Sequence, residues 1–175
     1  MDTWDSPDPW MSTNGILQFL TRLPISTTER LGIVHWDPSI RWLTEENAAY
    51  QTLLLMNNIR TLTLTDCLDV SFILALNPSR NTSNTVVCPK LEEFILYTKA
   101  PLDESRTGKL LEMVKERALR GAKLSTCVID CPQGLDPADK VFDLGSYVSR
   151  VEHRQDGAGW GASRDEMDDP PCWWA

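Results

Sequence analysis

Apolar residues recur along this chain in short alternating runs set a nearly fixed distance apart. Three runs share one pattern, Ile59-x-x-Leu62-x-Leu64, Leu91-x-x-Phe94-x-Leu96 and Leu124-x-x-Cys127-x-Ile129, and Leu31-x-Ile33 is a weaker copy. The last apolar positions, 33, 64, 96 and 129, are 31, 32 and 33 residues apart. Alternation predicts strands whose apolar side chains share one face. A period of this size predicts units that bury their apolar faces by stacking on one another. The strands are expected at Arg30 to His35, Thr61 to Thr65, Leu91 to Tyr97 and Leu124 to Asp130. Thr61 to Thr65 is the clearest, with Leu62 and Leu64 on one side and three threonines on the other.

Between the strands the apolar period lengthens to that of a helix. One helix is expected from Glu45 to Met56 with Thr44 as its N-cap, and a shorter one from Val70 to Leu76, stopped by Asn77-Pro78. A third carries the stripe Leu110, Leu111, Val114 and Ala118, with Ser105 as cap and Gly121 as terminator. A fourth is expected after the last strand. Asp136 caps it, Pro137 starts it, and Val141, Leu144, Tyr147, Val148 and Val151 form a buried face that closes the stack.

The L-x-x-L-x-L core followed by a helix is the unit of a leucine-rich repeat. The expected fold is therefore α/β: a short leucine-rich-repeat solenoid of about four irregular units, with parallel strands on one side and helices on the other. Cys67, three residues after Leu64, falls where such repeats favour Asn or Cys to satisfy backbone groups as the chain leaves the strand. Residues 14–153 form the repeat domain, flanked by a flexible acidic segment, 1–13, and a disordered acidic tail, 154–175. The residues between the apolar strand positions point to the concave side. They are Thr63 and Thr65, then Glu93, Ile95 and Tyr97, then Thr126, Val128 and Asp130. Ile95, Tyr97 and Val128 would form an apolar centre ringed by Thr, Glu and Asp, the makeup of a protein-binding patch.

Composition narrows the functional classes. The 175 residues carry a net charge of −8 and 42% apolar residues, enough for one domain with a core. Much of the negative charge lies at the two ends, and no basic patch is present, which argues against nucleic acid as a ligand. No run of 18 apolar residues and no charged-then-apolar leader occurs, so the expectation is an intracellular protein, cytoplasmic or nuclear, without a membrane partner. Five cysteines then read as reduced thiols, and Asn81-Thr82-Ser83 as a chance glycosylation acceptor.

Candidate chemistry is thin. Cys127-x-x-x-Cys131 with His153 supplies three zinc-type ligands where a structural site takes four, and Cys127 already has a place as a small core residue. The two histidines, His35 and His153, lie near opposite ends of the stack, so Cys67 and Cys88 have no base in a fold where units touch only their neighbours. Thr107-Gly108-Lys109 echoes a phosphate loop, but Asp103 stands where the first glycine belongs and Leu110 where the final hydroxyl belongs. Trp36 and Trp42 are expected to pack on the first unit. No catalytic residue, cofactor or metal follows from this reading.

Cys88-Pro89-Lys90-Leu91, Arg120-Gly121-Ala122-Lys123-Leu124, Asp136-Pro137 and Val151-Glu152 resemble the C-terminal part of the F-box-like proteins of mushroom-forming fungi. The likeness covers roughly residues 55 to 153. It implies the substrate-recognition half of a ubiquitin-ligase adaptor, a non-catalytic module that binds a protein or peptide. Residues 1–30 do not supply the helical, Leu-Pro-rich F-box, and Leu23-Pro24 comes directly before a strand, so a Skp-type adaptor is not an expected partner. Two rival expectations are a remnant that self-associates through its exposed repeat edge and an enzyme built on a cysteine or zinc site.

Overall fold

The computed structural model describes residues 27–34, 46–65, 69–80, 85–98, 102–131 and 140–154. Their elements alternate: β1 (Arg30–Val34), α1 (Glu46–Leu54), β2 (Thr61–Thr65), α2 (Asp69–Leu76), β3 (Glu93–Tyr97), α3 (Glu104–Leu119), β4 (Thr126–Asp130) and β5 (Arg150–Arg154). Tight 3-10 turns follow α2, at Pro78–Arg80, and precede β5, at Lys140–Ser146. The five strands form one parallel sheet in sequence order, β1-β2-β3-β4-β5. The chain is thus an α/β protein.

Register makes the sequence pattern physical. Leu31, Leu62, Phe94, Cys127 and Val151 are partners across successive strands, as are Ile33, Leu64, Leu96, Ile129 and His153. Positions 31 to 33 residues apart in the chain are therefore neighbours in the sheet. The strand entrances repeat too. The carbonyls of Glu29, Arg60 and Glu92 each accept two successive amides from the next unit, those of Arg60 and Thr61, Glu92 and Glu93, and Ser125 and Thr126, at 2.7–3.0 Å.

The helices cover one face. Leu62, Leu64, Phe94, Leu96, Cys127 and Ile129 belong to a single buried cluster with Ala49 and Leu53 of α1, Phe72 and Ile73 of α2, and Leu110, Met113 and Val114 of α3. Ile59, Leu91 and Leu124, three residues before the first strand leucine or its equivalent, are buried in the same cluster. Side chains alternate along a strand, so the positions between these point away from the helices.

Two expectations are corrected. The cap of α3 is Asp103 rather than Ser105: its carboxylate accepts the Arg106 amide at 2.7 Å, three residues on, while Ser105 lies inside the first turn. The helix expected to close the stack does not form over its second half. Leu144 lies in a 3-10 turn, and Val151 in β5, a fifth strand paired with β4. Val148-x-x-Val151-x-His153 is a further copy of the pattern, displaced 24 residues from the fourth and ending on histidine. Gly121 does end α3, at φ +77°, in the left-handed region where a missing Cβ removes the steric penalty. Val141 falls in the 3-10 turn at Lys140–Ser146, and Arg154, expected to begin the tail, is instead the last residue of β5. Thr44, His35, Trp36, Trp42, Cys67, Asp136, Pro137 and residues 1–13 and 155–175 lie outside the described residues.

Candidate functional site

The strand face turned away from the helices has three rows. Thr61, Glu93, Thr126 and Arg150 form the entrance row; Thr63, Ile95, Val128 and Glu152 the middle row; Thr65, Tyr97, Asp130 and Arg154 the exit row. All eight residues singled out from the sequence therefore share one face, over β2, β3 and β4. Their accessibility differs. Thr63, Glu93, Ile95 and Thr126 are partly exposed, whereas Thr65 is buried, Tyr97 is 9% exposed, Asp130 1% and Val128 0%. Ile95 is thus the accessible apolar side chain at the middle of the face, with the edge of Tyr97 beside it.

Polar contacts order the rim. Thr61 Oγ1 donates to Glu93 Oε2 at 3.2 Å, and Thr65 Oγ1 to the Ile33 carbonyl at 3.0 Å. On β5, which the sequence pattern did not reveal, Arg150 and Arg154 both clasp Glu152 at 2.9 Å. The Arg154 hydrogen bond, helped by both arginine charges, holds the Glu152 carboxyl below the usual carboxylate range. Alternate residues of a strand share a face, so this charged trio continues the candidate face at its last strand.

The entrance to β3 is set from the helix side. Arg117, in the last turn of α3, is fully buried and donates from Nη1 to the Val87 carbonyl at 2.7 Å and from Nη2 to the Cys88 carbonyl at 2.9 Å. Cys88 adopts φ +49°, a conformation that a β-carbon disfavours, and its thiol donates weakly to the carbonyls of Leu53 and Met56. Burial lowers the Arg117 pKa to about 10, which leaves the guanidinium charged at neutral pH. No sequence signal distinguished this arginine from its exposed neighbours on α3.

The groups weighed for catalysis or metal binding are placed as follows. Burial pushes the Cys127 thiol up to about 12, and the Cys88 thiol likewise despite the Arg117 charge. A thiol at that level is protonated at neutral pH. His153 pairs with Ile129 across the sheet, on the same side of it as Cys127, with its pKa lowered by partial burial. Among the described residues no three His, Cys, Asp or Glu side chains are grouped as a metal site. Thr107 is committed to the start of α3, its hydroxyl donating to the Asp103 carbonyl at 3.0 Å. No helix among the described residues is long and apolar enough to cross a membrane.

This arrangement defines the class: an α/β protein with a sequential parallel sheet, helices on one face and an open row of strand side chains on the other. No protein family, curated protein or solved structure matches the chain.

Proposed function

We propose that this protein is a non-catalytic interaction module of the leucine-rich-repeat kind, whose strand face, centred on Ile95 and Tyr97, receives a protein or peptide partner. One observation carries the reading: five parallel strands in sequence order with all three helices packed on the same side. That geometry commits one face to the core and leaves the other for contact. Partly exposed Ile95 among Thr63, Glu93 and Thr126 has the mixed character of an interface centre with a polar rim. Together with the resemblance to F-box-like proteins, the reading makes the partner a ligase substrate, with adaptor docking left to a separate element.

The test pairs Ile95→Ser with Tyr97→Ala and compares quantitative partner capture with the unaltered protein and with Leu119→Ser. Leu119 is 68% exposed on α3, on the helix side, and serves as the control. Partners lost from the double variant but kept by Leu119→Ser, at unchanged circular dichroism, are the expected result. Equal capture by all three folded proteins would refute the proposal.

A further inference from the structure

The entrance row of the strand face runs the full width of the sheet. Arg30, Thr61, Glu93, Thr126 and Arg150 are partners across the five strands in turn. This row is also the accessible margin of the face. Arg30 and Arg150 are exposed and Thr61, Glu93 and Thr126 half-buried, whereas Thr65, Tyr97 and Asp130 of the exit row are buried. Charge alternates along the row: cationic on β1, anionic on β3 and cationic on β5, with a threonine on each strand between. Successive charges stand two strands apart, about 10 Å at ordinary spacing.

These charges are not spent on one another. Glu93 accepts from the Thr61 hydroxyl at 3.2 Å, a neutral donor that leaves the carboxylate charge in place. The Arg60 guanidinium goes instead to Glu92, the residue before it. On β5 the single carboxylate of Glu152 is shared by Arg150 and Arg154, at 2.9 Å each, so the trio keeps one net positive charge. Arg150, its side chain 71% exposed, carries that charge to the surface.

We propose that the partner of this face is a peptide that crosses the strands along the entrance row as a polyproline II helix and bears the pattern acidic-x-x-basic-x-x-acidic. Its basic side chain meets Glu93, and its two acidic side chains meet Arg30 and Arg150. The proposal rests on the strand face being the recognition surface. A polyproline II helix has three residues per turn and rises about 3.1 Å per residue, so every third side chain returns to one side about 9 Å further on. That repeat matches the two-strand step of the row. A β-conformation peptide does not match it, because its side chains return to one side every second residue, at about 7 and 13 Å. Opposite charges at matched spacing fix the register of the peptide, and a slipped register sets like charges against each other.

The test selects a phage-displayed library of random peptides, about twelve residues long, on the full chain and measures the affinity of those recovered. The expected result is enrichment of acidic-x-x-basic-x-x-acidic. Affinity should then fall about twofold to fivefold with each of Arg30→Gln, Glu93→Gln and Arg150→Gln, the range of exposed charge pairs, and stay unchanged with Leu119→Ser. Selection on Glu93→Lys should exchange the basic residue of the pattern for an acidic one. If that variant does not fold by circular dichroism, the three glutamine variants decide. Recovered peptides that are lost on Ile95→Ser with Tyr97→Ala, but lack the pattern or ignore the glutamine variants, would overturn this proposal and leave the functional reading standing. Peptides with the pattern that weaken on the glutamine variants but ignore Ile95 and Tyr97 would uphold the proposal and refute those two residues as the centre of the face. No enrichment, or peptides indifferent to every one of these substitutions, would overturn both.

Discussion

Replacing Arg117 by methionine should weaken the fold by about 2–3 kcal/mol, a large share of the ~5–15 kcal/mol that holds a domain together. Methionine keeps most of the apolar stem, so little cavity opens. It also removes a charge whose burial is unfavourable, as the pKa lowered to about 10 records. Against that relief stand two charge-assisted hydrogen bonds, each of about 1.5–3 kcal/mol. The Cys88 carbonyl keeps a bond from the Leu91 amide at 3.0 Å, but the Val87 carbonyl loses its donor in a buried loop. Exchanging a buried ion pair for apolar residues is often neutral because both partners leave together. Here the acceptors are backbone and stay behind, so the exchange is not neutral.

The expected order of stability is Arg117, then Arg117→Lys, which retains one donor group, then Arg117→Met, then Arg117→Ala, which adds a cavity. Urea unfolding reads it directly. With a slope of about 1.5–2 kcal/mol per molar for a domain of this size, Arg117→Met lowers the midpoint by about 1.5 M. Native-state hydrogen exchange should localise the loss, with amides of residues 91–97 losing protection before those of β5. A methionine variant that unfolds at or above the unaltered midpoint would refute the reasoning, because it would mean the two carbonyls do not need the guanidinium.

Asp103→Ala removes the carboxylate that accepts the Arg106 amide and should cost about 1 kcal/mol, while Ser105→Ala stays within about 0.5 kcal/mol; thermal melts of the pair check which residue is the cap. The thiols of Cys88 and Cys127 ionise near 9 when unfolded and near 12 when folded, so the stability they confer is complete below pH 9 and is lost between pH 9 and 12. The loss is about 1.4 kcal/mol per pH unit per thiol, and Cys127→Ala should remove about half of this alkaline slope; equal slopes in the two proteins would contradict the burial of that thiol. Arg150, Glu152 and Arg154 blunt the β5 edge against strand pairing; the self-associating reading places its contact at the other edge, β1, so gel-filtration volume that stays constant over about a hundredfold range of concentration would count against it, and a shift towards dimer would favour it.

The sequence showed most where burial is regular. In β2 the period-two alternation and the two leucines leave one arrangement, and Thr61–Thr65 is the observed strand to the residue. The register of β1 to β4 was legible for the same reason, since the 31-, 32- and 33-residue intervals join positions that pair. β5 was not, because two patterns compete over one stretch. Leu144, Tyr147, Val148 and Val151 satisfy a helical period, while Arg150, Glu152 and Arg154 alternate as a strand with charged side chains and no apolar signal. The shortened 24-residue interval and His153 in the last apolar place hid the copy further. Asp103 was overlooked in favour of Ser105, which lies nearer the apolar stripe, although Asp103 with Glu104 after it carries an equally good start signal. Alternation alone also put the eight candidate residues on one face. It could not show that Val128, on that same face, is fully buried.

The dimensions of the sheet limit what the face does. Five strands at about 4.8 Å spacing span roughly 19 Å, and five residues of strand span roughly 16 Å, giving about 300 Å². A standard protein interface takes about 800 Å² from each partner. The strand face is therefore enough for a short peptide or one protruding epitope, and a folded partner must also touch the loops at the strand ends. Within so small an area, few side chains are available to carry affinity, and an accessible aliphatic residue beside an aromatic one, Ile95 with Tyr97, is where it concentrates. Those two side chains are also held in place by the repeat itself. Bonds between residues 32 apart tie the β2 unit to the β3 unit, Lys90 to Asn58 at 2.6 Å, Arg60 to Glu92, and Thr61 to Glu93, and Arg117 pins the loop leading into β3. Rigid presentation lowers the entropy lost on association, which lets a small face bind at all. Loosening β3 through Arg117 should then weaken partner binding without altering a single residue of the face.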